Sequence, residues 1–250
     1  EDPGEEQGES VEITEDSSSD VKETAENVQS EALNERQIIL FKAELAEKAS
    51  RFDDMAMFTK ELAETDEEMS TVEQRMFASA YKQVIISRRK SWRTINDLLS
   101  DPSMNHDGRR RALKSAKCKI EEELLSYCRE ALSLISDHLI PNSSADEGQV
   151  TYRKLQGDYH RYLAEFQENG SRKLSMEASS FAYQEAHRLA QMYLELRNPV
   201  RLGVALNYSV FLHDMKASPE DAVDIARQAF DNAISEQKEI KDGSETKIIL

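Results

Sequence analysis

Lys82, Arg89 and Arg93 stand at i, i+7 and i+11, a spacing that puts three cations on one face of an α-helix. Arg89 has no acid four residues to either side; Ile85 and Arg93 occupy those positions. An unneutralised basic row on an acidic chain calls for an anion, although an ordinary solvated helix face would show the same row. Lys154 and Arg161, seven apart, repeat the arrangement, with Tyr162 beside Arg161. Here Asp158 and Glu165 lie four residues beyond each base and are placed to pair with them. Asn207 and Asp214, also seven apart, sit next to Leu206 and Val210. An Asn amide offers a donor and an acceptor to a peptide backbone, though an isolated Asn is most often a plain surface residue. Two Arg and a Tyr converging on one dianion form a good phosphate site. Each guanidinium can give paired, charge-assisted hydrogen bonds of about 1.5–3 kcal/mol apiece. Lys adds a point charge without the fork.

Other chemistry finds no constellation. The five histidines, at 106, 138, 160, 187 and 213, form no HExxH and no Glu-x-x-His pair. Walker, GxGxxG and GxSxG loops are absent. The chain therefore reads as a non-enzyme, with no catalytic residue, cofactor or metal expected. Cys118 and Cys128, ten residues apart on one expected helix, point to different faces and lie too far apart to bridge. Two unpaired thiols suit a reducing compartment, and no membrane span or signal peptide is evident. The cytoplasm, with the nucleus, is the expected location, and membrane insertion is not expected.

The elements that must position these side chains are helices. Only 8 Gly and 5 Pro are spread over 250 residues, so long helical stretches are allowed almost everywhere. Apolar residues recur at helical spacing and rarely alternate. The net charge is −16. Residues 1–30 hold eleven Asp or Glu against one base, Lys22, and so carry −10 of it. The remaining −6 leaves a mildly acidic body, a poor general partner for nucleic acid. Residues 1–33 read as an acidic disordered extension, too poor in large apolar groups to order themselves. Residues 34–250 read as one helical domain. Its helices are expected near 36–50 (α1), 53–64 (α2), 71–99 (α3), 110–139 (α4), 147–168 (α5), 173–197 (α6), 200–216 (α7) and 219–240 (α8). Ser70 to Glu73 is a capping box for α3. Asn169-Gly170 is expected to stop α5 and Asp242-Gly243 to end α8. Ser218-Pro219 opens α8 as N-cap and N1. Lys247 to Leu250 looks like the opening of a ninth helix, cut short by the end of the chain. Short loops make sequential helices antiparallel neighbours.

The same residues resemble a known family. Tyr81-Lys-Gln-Val-Ile-Ile-Ser-Arg-Arg-Lys-Ser-Trp-Arg93 is similar to the helix 3 signature of 14-3-3 proteins. Gly157-Asp-Tyr-His-Arg-Tyr-Leu-Ala-Glu165 resembles their helix 5. Arg201-Leu-Gly-Val-Ala-Leu-Asn-Tyr-Ser-Val-Phe211 resembles helix 7. Ser218-Pro-Glu, continued by Ala229-Phe-Asp-Asn-Ala-Ile234, resembles helix 8, and Arg51-Phe-Asp-Asp-Met55 the start of helix 2. The match runs in order over about 36–250.

The resemblance implies an all-α subunit of nine antiparallel helices, a concave groove, and a two-fold homodimer or a heterodimer with related subunits. It implies an adaptor that binds phosphoserine or phosphothreonine segments of other proteins. By motif position, Lys82, Arg89, Arg161 and Tyr162 would hold the phosphate. Arg93, Lys154 and Asp214 would line the groove, Asn207 would bond the ligand backbone, and Leu206 and Val210 would form an apolar wall. Leu45 and Ala49 would face the partner subunit. Arg51 and Asp54 would pair across the interface with Lys119 and Glu123, and Ser91 and Ala116 would lie at the seam.

Three departures carry consequences. Asp214 stands where the family usually has Glu, which loosens contacts near the bound peptide. Ala116 replaces a Tyr at the seam and removes apolar contact. A shortened ninth helix lacks the family's groove-lining Asn and Trp. Ser91 follows Arg88-Arg89-Lys90, a basic context suited to kinases, so a phosphate there would favour monomers. The tethered acidic extension, with Ser17 to Ser19, would be able to compete for the protein's own groove. A TPR-like scaffold binding unphosphorylated tails is the alternative, against which stands the lack of a 34-residue repeat. A helical enzyme with an unrecognised site is a third reading, disfavoured by the missing acid–base constellation.

Overall fold

The computed structural model describes residues 34–65 and 67–246, with side chains through residue 235. The described residues form eight α-helices and no strand. They are α1 Glu35–Lys48, α2 Phe52–Ala63, α3 Thr71–Ser100, α4 Asp107–Leu134, α5 Asp146–Phe166, α6 Asn169–Tyr193, α7 Pro199–Asp214 and α8 Pro219–Thr246. The all-helical expectation holds. The acidic extension and the start of a ninth helix lie outside the described residues.

Local chemistry explains most of the helix ends. Ser70 accepts the Glu73 N–H through its hydroxyl while the Glu73 carboxylate accepts the Ser70 N–H at 2.8 Å, the expected capping box. Glu73 also receives two bonds from Arg36, at 2.8 and 3.0 Å, which tie α1 to the start of α3. Several boundaries differ from expectation, and α6 ends at Tyr193 rather than near 197. Asn169-Gly170 does not stop α5 but opens α6, with Asn169 at φ 51°, a left-handed conformation that Asn tolerates. The last expected turn of α4 widens into a π turn, Ile135–Leu139. The eighth helix runs through Asp242-Gly243 to Thr246, so a lone Gly does not break it.

The packing order places α5 at the centre of the site. It lies against α6 over its length, against α7, and meets α3. Tyr81, Val84 and Ile85 of α3 are fully buried, as its apolar spacing requires. The Tyr81 and Tyr159 rings meet edge-on at 6.4 Å, and Tyr159 meets Tyr162 at 6.3 Å. This ladder of rings locks α3 to α5 through their buried faces. The cationic faces next to them are thereby turned toward one cleft.

Gly157 sets the approach of α5 to α6. A Cβ there would lie 2.7 Å from the Tyr183 ring, closer than packing allows. The Ser179 hydroxyl donates to the Gly157 carbonyl at 2.9 Å across the same contact. Gly157→Ala is expected to cost about 1–3 kcal/mol through overpacking, read as a lower urea midpoint. An unchanged midpoint would mean that the Tyr183 ring moves aside freely.

Candidate functional site

A cleft of about 410 Å³ opens between α3, α5 and α7. Lys82, Lys154, Arg161, Tyr162 and Asn207 line it together. Arg89 adjoins through Tyr162: its guanidinium carbon lies 4.3 Å from the ring centroid, and that of Arg161 lies 4.6 Å from the same centroid. Two guanidiniums thus share one largely buried Tyr ring.

Each guanidinium is held by a carboxylate from α5. Asp158, 4% exposed, is the hub. It accepts from Lys154 at 3.1 Å, from Arg161 at 3.2 Å, and from the Tyr183 hydroxyl at 2.5 Å. The Asn207 amide donates to both its oxygens, at 2.9 and 3.0 Å. Arg161 also donates to the Tyr183 oxygen at 3.2 Å. Arg89 donates to Glu165 at 2.5 Å, and Arg93 pairs with the same carboxylate. The expectation that Arg89 is unneutralised is therefore corrected: its acid comes from α5 rather than from its own helix. Glu165, four residues beyond Arg161, pairs across to α3 instead, while Arg161 turns back to Asp158 at i−3.

These partners leave defined bonding capacity in the cleft. Only Nε of Arg89 is used by a hydrogen bond, so its two terminal nitrogens are free among the described residues. Of Arg161, Nη1 is the one nitrogen engaged by neither Tyr183 nor Asp158, with Tyr162 against the same guanidinium. The Asn207 amide nitrogen faces Asp158, which leaves its carbonyl oxygen as an acceptor. On α7, Leu206 is 61% and Val210 37% exposed, an apolar rim beside the polar floor. Asp214, further along, is exposed and paired with His213 at 2.7 Å. The structure does not bring it into the lining of the cleft.

Burial pushes the Glu165 carboxyl up, but hydrogen bonds from Arg89 and Arg93 outweigh it and hold the group below the usual carboxylate range. A depressed folded value means stabilisation that is complete above the unfolded value, about 4.3, and lost as pH falls through the folded one. Glu165→Gln is accordingly expected to be less stable than the wild type at neutral pH. The two should converge below roughly pH 4 in urea denaturation. A gap constant with pH would remove this carboxylate as the source.

Asp158, Glu165 and Tyr183 hold the cations of the cleft, yet the sequence reading gives the first two only as intrahelical pairs and omits Tyr183. Arg75, in the same lining, is also missed. Its signal was available, since it precedes Lys82 by the same seven-residue step.

Comparison with known proteins settles the family. The model for 14-3-3 protein matches residues 42–249. 14-3-3 protein zeta of Bombyx mori is 39% identical over 210 residues, covering 84% of this chain and 85% of the relative. 14-3-3-like protein B of Hordeum vulgare is 43% identical over 208 residues, covering 82% and 79%. The chain belongs to the 14-3-3 family. Membership supports an adaptor role rather than catalysis for this 14-3-3 chain. Among its described residues, no helix is long and apolar enough to cross a membrane, and no group of His, Cys, Asp and Glu is arranged to hold a metal.

The residues expected at the subunit seam of this 14-3-3 chain lie on α1 to α4 and in the turn between α1 and α2. Leu45 is 56% exposed, and with Ala49, Arg51, Asp54 and Phe58 it lines an apolar depression of about 310 Å³. Arg51 and Asp54 pair with each other within the subunit, and Glu123 pairs with Arg88 at 3.2 Å. Ser91, Ala116 and Lys119 are exposed. Cys118 is exposed and Cys128 buried, as their spacing implies, and burial pushes the Cys128 thiol up to about 12.

Proposed function

We propose that this 14-3-3 chain is an adaptor that holds phosphoserine or phosphothreonine segments of partner proteins in the α3–α5–α7 cleft. The observation that carries the reading is the pair of guanidiniums on Tyr162, each anchored by a carboxylate, with both terminal nitrogens of Arg89 and Nη1 of Arg161 left over. Their carboxylates fix their direction before the ligand arrives, so little side-chain entropy remains to be lost on binding. The phosphate dianion takes the free nitrogens of Arg89 and Arg161, with Lys82 adding charge. The Asn207 carbonyl accepts a backbone N–H of the ligand, and Leu206 and Val210 receive an apolar side chain. Arg93 and Lys154 keep the groove positive around the phosphate.

Partner proteins retained on the immobilised chain are expected to be lost after phosphatase treatment. Equal retention before and after would favour a scaffold for unphosphorylated tails. We assign the exposed α1 stripe of Ile38, Phe41 and Leu45 to a two-fold dimer, with the depression around Leu45 receiving the partner subunit. Leu45→Glu is then expected to sediment as a monomer. A dimer unaffected by that charge would place the interface elsewhere. A cytoplasmic location suits the two free thiols.

A further inference from the structure

The cations around the cleft fall into two classes. Lys154 and Arg161 are tied to Asp158, and Arg89 and Arg93 to Glu165. Arg75 and Lys82 have no acid partner among the described residues, although both line the same cleft. Among the described residues Asp158 is the only carboxylate in that lining, and its oxygens are already engaged by Lys154, Arg161, Asn207 and Tyr183. The end of the cleft at Arg75 therefore carries charge that nothing in the lining neutralises. Lys82 is accounted for by the phosphate. Arg75 is not.

Position along α3 says how far away it acts. Arg75 lies seven residues before Lys82 and fourteen before Arg89, about 10 and 21 Å along the helix axis. An extended peptide advances about 3.3 Å per residue, so the span from the phosphate to Arg75 covers roughly three to six ligand residues. Ala78 and Ser79, one turn further along α3, are small and line the same floor, which leaves room for a ligand side chain to reach the guanidinium. That guanidinium is exposed and presents a planar fork, matched to two oxygens of a carboxylate or phosphate.

We infer that Arg75 is a second anion reader. It selects ligands that carry an acidic or phosphorylated residue three to six positions from the primary phosphoresidue, on the side facing the N-terminal end of α3. The inference rests on the phosphopeptide reading of the cleft and narrows its ligand class. It makes this subunit prefer segments with two anionic groups at a fixed separation over segments with one.

The test is a set of phosphoserine peptides in an otherwise neutral sequence. Each carries one Glu at a position from two to six residues on either side of the phosphoserine, and affinities are read by fluorescence polarisation on the full chain. The expected result is a gain of roughly fivefold over the Ala-substituted peptide, confined to a window on one side. Phosphoserine in place of that Glu should raise the gain further. The gain should vanish in Arg75→Ala, and Arg75→Glu should instead prefer Lys at the same position. A flat profile across all Glu positions in the wild type would overturn the inference, as would a gain that survives in Arg75→Ala. In either case the preference for phosphoserine over serine at the primary position, measured on the same peptides, reports separately on the underlying reading.

Discussion

Asp158→Ala is expected to lower the melting temperature by roughly 6–12 °C and to abolish phosphopeptide binding. Removing one partner of a buried ion pair costs about 3 kcal/mol or more, and a chain of this size shifts by about 2–4 °C per kcal/mol. The reason lies in what Asp158 holds. Lys154, Arg161, Asn207 and Tyr183 all direct polar hydrogens at its two oxygens. Ala leaves two cations two turns apart on α5 with no carboxylate between them, and the side chain of Arg161 is only 17% exposed. Lys154, at 22%, escapes to solvent more readily, which limits the loss. Asn207→Ala removes only one neutral donor and is expected to cost about 1 kcal/mol. Thermal melts and peptide titrations on both variants check the order. A stable Asp158→Ala protein that still binds would mean the hub is incidental to the groove.

Arg161→Ala separates binding from stability. Asp158 keeps Lys154, Asn207 and Tyr183 in this variant, so no carboxylate is orphaned and the fold should lose little. The ligand loses a charge-assisted contact to Arg161, about 1.5–3 kcal/mol, or roughly tenfold to a hundredfold in affinity. Arg161→Lys restores the charge without the planar guanidinium that Tyr183 and Asp158 hold in place, and should recover only part of that. Arg89→Ala should act in the same direction. Its loss also removes one of the two cations from the Tyr162 ring and leaves Glu165 to Arg93, which is 58% exposed and looser. If Arg161→Ala binds as tightly as the wild type, the phosphate does not sit at Tyr162.

Much of this architecture is legible in the residues themselves. Apolar residues recur at 3.6-residue spacing, Pro199 and Pro219 open α7 and α8, and the cap at Ser70 forms as written. The row at Lys82, Arg89 and Arg93 is legible as one face. What pairs with it is not. Glu165 lies 76 residues from Arg89 in the chain, and a search four residues up and down one helix never meets it. The same search assigns Glu165 to Arg161, which instead turns back to Asp158 because Tyr183 anchors that side of α5. Tyr183 in turn reaches Asp158 only because Gly157 lets α6 come close, a three-body effect that no spacing rule contains. The convergence of α3, α5 and α7 on one cleft comes from the family resemblance in the sequence and from packing in the structure.

The most direct measurement is a calorimetric titration of the chain with a phosphoserine peptide and with its unphosphorylated twin. Saturable binding of the phosphorylated peptide, at least a hundredfold tighter than the twin and weakened by Arg161→Ala, is the predicted result. Equal affinity for the two peptides would contradict the assignment of this cleft to phosphate.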